Sequence, residues 1–480
     1  MNRQIAQLFG LVALLFAALV GFTSYWSVLD AEGLEDNPNN RRPLLQEQRI
    51  PRGRILASDN RTVLARSVPR GRGEDRVYTR VYPERGLFAH PVGYSFLLNG
   101  RRALERSRND DLTGEEDEFE SILSGLEDRT REGFDVVTNL DVDGQRTAYG
   151  ALQGRKGAVV AIEPRTGKVR VMASVPDYDP NLIPEQASEL GRDPDKPILN
   201  RTTQEAYPPG STFKVVTAAA AIDTGKVTPN TVFDGSSPRT VSGVPLENFG
   251  GTDFGPITVT DALTNSVNTV FAQIGEEIGR STLVDYMQRF GFYEDPKLDL
   301  PEDEMLASGI RKADGELVED GFDVGRVAIG QGGAEGEIRA TPLQMAEVAA
   351  TIANGGRLMK PRLTDRVLRE DGRVKERIDP DLQTEVMKES TAQALTEMMG
   401  RVVEEGTGTQ AALAGIQVAG KSGTAEVGAN REFTQPWFIA FAPIDDPRMA
   451  VAVTLERTQG QGGTVAAPIA RQVLESLLGG

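Results

Sequence analysis

Tyr207-Pro208-Pro209-Gly210-Ser211-Thr212-Phe213-Lys214 runs directly into Val215-Val216-Thr217 and four alanines. Pro-Pro-Gly punctuates a loop, and the alanine-rich stretch to Ile222, ended by Gly225, is a good helix former, so Ser211 is expected at a helix start. Lys214 lies three residues on, on the same helical face. A serine hydroxyl is a weak nucleophile until a base takes its proton. A lysine can be that base if burial and neighbouring positive charge lower its pKa. The positive end of the helix dipole favours the developing alkoxide. The plainer alternative is a capping serine beside an unrelated surface lysine, since Ser-x-x-Lys alone is expected about once by chance in such a chain. Lys214 is nevertheless the only lysine with a serine three residues before it.

Two later motifs change the weighing. Ser266-Val267-Asn268 falls within a helical section, and Lys421-Ser422-Gly423-Thr424 falls at a strand entry after Val418. The order Ser-x-x-Lys, Ser-x-Asn, Lys-Ser/Thr-Gly marks the penicillin-interacting serine enzymes. Imitations occur elsewhere. Ser58-Asp59-Asn60 and Ser107-Arg108-Asn109 precede the nucleophile, and Arg165-Thr166-Gly167 is the tip of an expected hairpin; all three read as turns and surface. Gly406-Thr407-Gly408-Thr409-Gln410-Ala411 fits a dinucleotide-loop pattern but follows a helix, which excludes a nucleotide reading. Gly330-Gln331-Gly332-Gly333 lacks the Lys-Ser/Thr of a phosphate loop and reads as tight backbone geometry.

Composition narrows the chemistry further. The 480 residues carry a formal net charge of −17, which argues against broad attraction to nucleic acid. Cysteine is absent, removing thiol nucleophiles, disulfides and Cys-ligated metals. With one histidine, His90, in the turn-like His90-Pro91-Val92-Gly93-Tyr94, neither a two-histidine metal site nor an ordinary Ser-His-Asp triad is expected. No metal and no organic cofactor is anticipated.

From Gln4 to Leu29 there is no charged residue, a run long enough to cross about 30 Å of hydrocarbon. Arg3 precedes it, and Asp30, Glu32, Glu35 and Asp36 follow, so the short tail is expected in the cytoplasm and the remainder outside. Phe22, Tyr25 and Trp26 suit an interfacial belt. No clear Ala-x-Ala site closes the run, which favours an uncleaved anchor over a signal peptide.

Three regions are expected: residues 1–30 as tail and transmembrane anchor, 31–150 as an elongated, mainly β interaction domain, and 151–480 as the catalytic domain. Val77–Val81 reads as a strand, and the charge run Glu115–Glu120 as a solvated face. Ala158–Ile162 and Val169–Met172 read as a hairpin about the turn Glu163–Lys168. A mainly helical section from Ser211 to Phe290 follows, then helices at Pro342–Ala353 and Asp381–Glu404, strands at Ile416–Val418, Trp437–Phe441 and Met449–Leu455, and a helix at Ala467–Leu478. Strands, helices, then strands again predict an α/β (α+β) domain whose sheet is assembled from both ends of the segment, with a helical lobe between.

On these motifs, with Arg52-Gly53-Arg54-Ile55, Gly157–Pro164, Ala340-Thr341-Pro342-Leu343-Gln344-Met345 and Trp437–Pro443, the sequence resembles the class B penicillin-binding proteins, most of all the actinobacterial penicillin-binding protein A type. The resemblance covers nearly the whole chain. Asp59-Asn60-Arg61-Thr62 departs from it by lacking the expected glycine. It implies the serine β-lactamase-like transpeptidase fold, with an antiparallel sheet, and a peptidoglycan D,D-transpeptidase acylated by β-lactam antibiotics. Ser211 would attack the penultimate D-Ala carbonyl of a stem peptide, and Lys214 would accept its proton. Ser266 and Lys421 would relay a proton to the leaving amine, and Asn268 would hold the substrate backbone and orient Lys214. The N–H groups of Ser211 and Thr424 would form the oxyanion hole, and Ser422, Gly423 and Thr424 would line the carboxylate site. It further implies duty in cell-wall growth, shape or division at the cell membrane, single-pass with the catalytic domain extracytoplasmic, beside a SEDS-class membrane glycosyltransferase. No C-terminal PASTA repeats are expected, and Glu116-Asp117-Glu118-Phe119 lacks the histidine of a glycosyltransferase signature. Two alternatives stand beside this: a D,D-carboxypeptidase or β-lactamase of the same fold, and a non-catalytic penicillin-binding scaffold or sensor. Glu302 and Glu304 are the nearest candidates for a deacylating carboxylate. They read as a solvated acidic loop, because an asparagine four residues beyond the glutamate is replaced by Leu306 or Ser308.

Overall fold

The computed structural model describes residues 2–25, 48–73, 76–115, 132–333, 335–427 and 432–479. The chain opens with helix α1 (Asn2–Ser24), apolar and exposed along its length. Its membrane-compatible part, Arg3–Ser24, is about 33 Å long at the usual helical rise. Trp26 and the acidic cluster from Asp30 to Asp36 lie outside the described residues, as do most of the Glu115–Glu120 run and the Glu116–Phe119 stretch.

The next region contains strands β1 (Ile55–Leu56), β2 (Val63–Arg70), β3 (Val77–Val81) and β4 (Asp135–Thr138), with short helices at Ala89–Val92, Ala103–Ser107 and Asn109–Thr113. Ser107-Arg108-Asn109 is therefore the junction of two helical turns, where Arg108 pairs with Asp111 and Asp299; it is not the surface turn expected. Ser58-Asp59-Asn60 is a turn, closed by the Asp59 carboxylate accepting from the Arg61 and Thr62 amides. Glu105 is fully buried between Arg80 (2.5 Å) and Arg52 (3.1 Å). The two guanidinium charges outweigh the cost of burial and hold its carboxyl below the usual range.

Helix α2 (Val142–Leu152) begins at Asp141, whose side chain caps the Gly144 amide. Strands β5 (Gly157–Ile162) and β6 (Val169–Val175) form the expected hairpin. Helices α3 (Lys214–Asp223) and α4 (Asn268–Ile278) belong to the lobe, followed by α5 (Pro342–Ala353). The lobe is less helical than expected. Two small antiparallel pairs, Val232–Asp234 with Pro256–Thr258 and Arg239–Val241 with Val244–Leu246, interrupt it.

Strands β7 (Thr364–Leu368) and β8 (Val374–Arg377) come next, and α6 (Glu389–Glu404) starts later than expected. Leu382–Glu385 is a strand paired with Arg357–Met359, because Leu-Gln-Thr-Glu just past Pro380 satisfies its backbone across a neighbour. Strand β9 (Ala419–Val427) begins just past Ile416–Val418, the stretch expected to be the strand. Strands β10 (Phe433–Ala442) and β11 (Met449–Leu455) and helix α7 (Ala467–Leu478) complete the chain.

The main sheet has the order β9-β10-β11-β5-β6 and is antiparallel throughout. Both faces are covered, so its strands read as nearly continuous apolar runs. Val159, Ala161, Phe438, Ala440, Val451 and Val453 pack with α2 and α7. Their alternating neighbours Val160, Ile162, Ile439, Phe441, Ala450 and Ala452 pack with α5 and the lobe. The second large sheet, β8-β7-β4-β1-β2-β3, draws β7 and β8 from the far side of the lobe, so the two halves of the chain share one sheet.

Candidate active site

Ser211 lies in a 3₁₀ turn, Gly210–Phe213, whose end feeds α3; the helix start is thus one turn later than expected. Lys214 is the first residue of α3 and is completely buried. The turn is clamped from two sides. Trp437 of β10 donates its indole N–H to the Pro208 carbonyl (2.9 Å), and the Gly210 amide bonds to Gly330 O (3.0 Å). Gly330 has φ +79°, and a Cβ there would lie 1.8 Å from Gly210 O, which accounts for glycine in the Gly330–Gly333 run. A Cβ on Gly423 would lie 2.6 Å from Pro209 O. The second residue of the Ser-Gly pair in β9 is therefore what lets the strand edge reach the turn that carries Ser211.

Ser266 sits between the helix Val259–Thr264 and α4 with φ +59°, a conformation rare for serine. It places its hydroxyl between two lysine side-chain nitrogens. Lys214 Nζ lies 3.3 Å from Ser266 Oγ, 2.7 Å from Ser266 O and 2.8 Å from Asn268 Oδ1. Lys421 Nζ, also fully buried, donates to Ser266 Oγ at 2.9 Å and to Ser422 O at 3.0 Å. Burial, then the charge of Lys421, pushes Lys214 well below its ordinary value; burial alone pushes Lys421 down to about 7. Desolvating an ion costs several kcal/mol, and no carboxylate contributes to either shift to offset it. The downward shift favours the neutral amine at Lys214, the form that can take a proton.

Ser422 Oγ bonds Thr407 Oγ1 at 2.6 Å, and Thr424 Oγ1 accepts from the Gly462 amide at 3.0 Å. Strand β9 is the sheet edge, and Thr424 stands opposite Pro436. Proline has no N–H to give, so this pair cannot exchange the two bonds of a hydrogen-bonded antiparallel pair, and the Thr424 N–H lies on the open edge beside Ser211's turn.

The structure thus brings together residues of all three motifs: Ser211 and Lys214, Ser266 and Asn268, and Lys421 to Thr424. It adds four that the sequence did not single out as site residues: Thr407, Trp437, Asn248 and the Glu247 carbonyl. The Asn268 amide donates to Glu247 O (2.9 Å), which turns its oxygen toward Lys214. Asn248, buried, accepts from the Thr269 amide and donates to Gly235 O and Thr252 O, each at 3.0 Å, tying this loop to the first turn of α4. Thr407 belongs to the run that mimics a nucleotide loop.

His90 is buried, its Nε2 on Pro197 O at 2.9 Å and its pKa driven down to about 4 by burial; it is a structural residue. Glu302 is exposed, as expected of a solvated loop, but Glu304 is not. Its carboxylate accepts from the Ala103 amide (3.1 Å) beside Arg102 and is held above the usual range by burial. The loop is acidic because it docks onto the Ala103–Ser107 helix. Among the described residues no cluster of His, Asp or Glu suits a metal ion.

Residues 157–475, the greater part of the chain, match the penicillin binding protein transpeptidase domain. The chain belongs to that family. Residues 52–136 match the penicillin binding protein A dimerisation domain. Along its whole length the chain is 35% identical to the peptidoglycan D,D-transpeptidase PbpA of Mycolicibacterium smegmatis, over 99% of that protein, and 34% identical to PbpA of Mycobacterium tuberculosis, over all of it. The ceftriaxone acyl-enzyme of M. tuberculosis penicillin-binding protein A superposes with a TM-score of 0.80 at 33% identity, covering 90% of this chain and 100% of that one. The D,D-transpeptidase domain from Eggerthella lenta gives 0.78 at 33% identity, covering 90% of this chain and 99% of the other.

Proposed function

We propose that Ser211 is the acyl-accepting nucleophile of this D,D-transpeptidase and Lys214 its general base. The enzyme cross-links peptidoglycan stem peptides through a serine acyl-enzyme and is acylated at the same serine by β-lactams. The observation that carries the assignment is the pair of buried lysines meeting at one hydroxyl, Ser266 Oγ, with Lys214 one turn beyond Ser211 along the chain. Lys214 takes the Ser211 proton as Oγ attacks the penultimate D-Ala carbonyl. The oxyanion is met by the Ser211 and Thr424 amides, whose fixed dipoles stabilise the charge as it develops and so lower the barrier to acyl transfer. Lys421 and Ser266 pass a proton to the departing D-Ala nitrogen, and the C–N bond breaks to leave the ester. Ser422 and Thr424 hydroxyls, with Lys421, hold the terminal carboxylate beside Gly423. Asn268 orients Lys214 and the substrate backbone. The amine of a second stem then attacks the ester and frees Ser211.

The protein is anchored by α1. Its catalytic domain faces outward, where polymerised substrate lies, and residues 31–150 dock partners, among them a SEDS-class glycosyltransferase. The hydrolytic alternative lacks support at Glu304, which is occupied by Ala103 and Arg102. Incubating the full chain in detergent with a stem pentapeptide and an amine acceptor should release D-Ala and yield the cross-linked amide, and Ser211→Ala should do neither. Amide formation by that variant would sink the assignment.

A further inference from the structure

Asn268 opens α4, and Phe271 stands three residues on, so both project from the face of that helix that meets Lys214. Asn268 Oδ1 accepts from Lys214 Nζ, and the Phe271 ring lies across the same nitrogen, its centroid 5.6 Å away. Lys214 and Phe271 are both fully buried, so water does not screen one from the other. Burial and the charge of Lys421, reaching in from β9, disfavour a charged Lys214, and Lys421 is the only charged side chain acting on it. Asp223, the other charged group of α3, is about 13 Å along the helix, where it is taken by Tyr286, Thr391 and Lys388. Glu276 and Glu277 of α4 are exposed, beyond its second turn.

A base becomes charged in the act of catalysis. As Lys214 takes the Ser211 proton it turns into an ammonium in a site with no carboxylate to receive it, and its surroundings offer the Ser266 carbonyl, Asn268 Oδ1 and the face of Phe271. A carboxylate there would hold the ammonium permanently and abolish the base. An aromatic face, whose quadrupole attracts a cation more weakly, stabilises the ammonium without fixing it. We infer that Phe271 is a positioning residue for the base, its π face stabilising the ammonium that Lys214 becomes when it takes the Ser211 proton. The inference rests on the reading of Lys214 as general base.

The test follows the second-order rate of Ser211 acylation by penicillin G against pH, with the full chain in detergent. The parent should show an acid limb, where Lys214 gains a proton, and an alkaline limb, where Lys421 loses the one it passes on. Position 271 is then filled in turn with mono-, di- and trifluorophenylalanine, which drain the π face with little change of size. Less stabilisation of the ammonium means that Lys214 stays neutral to lower pH. The acid limb should therefore move down stepwise, by about one pH unit at the trifluoro stage, while the alkaline limb stays put. Phe271→Leu, made by ordinary mutagenesis, should move the acid limb at least as far. An acid limb unmoved across the series and in Phe271→Leu, or two limbs moving together, would overturn the inference. An acid limb that persists at the parental rate in Lys214→Ala would instead overturn the reading of Lys214 as base.

Discussion

Lys214 and Lys421 share one serine hydroxyl in a site with no histidine, and their burial favours the neutral amine that the proposed base role of Lys214 requires. Replacing Lys214 by alanine should slow penicillin acylation of Ser211 by at least about a hundredfold, measured by stopped-flow or quenched labelling; a near-normal rate would move the base elsewhere. Lys421 carries a pH signature. Its pKa falls from 10.5 to about 7 on folding, so between those values the unfolded chain holds a proton that the folded chain does not. The contribution of this group to stability therefore rises with pH from about 7 to about 10, by at most about 1.4 kcal/mol per pH unit, and is flat below 7. Lys421→Met should gain most in Tm over the parent near pH 7, and the gain should shrink toward pH 10. A difference independent of pH would contradict the burial argument. The residue types and spacings of the three motifs were legible because each chemical role demands a particular side chain. The strained Ser266 backbone and the Thr407–Ser422 bond were not, since the first depends on local geometry and the second on a tertiary contact.

Strand β9 and the loop before α4 hold the two walls of the cleft, and they differ in how well local sequence announces them. Trp437–Phe441 and Met449–Leu455 stand out as apolar runs because both sheet faces are covered. The three-residue strands of the lobe carry too little alternation to separate them from loop or helix. Leu382–Glu385 could be joined to α6 by pattern alone, and only its pairing with Arg357–Met359 decides otherwise. Asn248 shows the same limit: in sequence it is one loop asparagine, whereas in the fold it spans three backbone segments. Asn248→Ala should release the Glu247 carbonyl from Asn268 and lower the acylation rate about tenfold, a loss comparable to one hydrogen bond at Lys214. Acylation at the parental rate would show that the loop holds Asn268 without it.

The shared sheet, in which β7 pairs with β4, and side-chain contacts such as Glu304–Ala103 and His90–Pro197 join the first part of the chain to the catalytic part. Sequence reasoning, which cuts a chain into consecutive pieces, has no signal for a strand pair returning across a lobe. The membrane-compatible helix was plain, because an uncharged run of that length needs no tertiary context. Protease added to intact spheroplasts should digest the large domain and leave α1 with its short tail; complete protection would reverse the orientation. Everything proposed for the cleft turns on one covalent event, which intact-protein mass spectrometry can follow after penicillin G is mixed with the full chain and excess drug is removed. A single penicilloyl adduct, mapped to Ser211, absent in Ser211→Ala and persisting for many minutes, is the expected result. An adduct that survives in Ser211→Ala, or one lost within seconds while free drug is steadily hydrolysed, would contradict it.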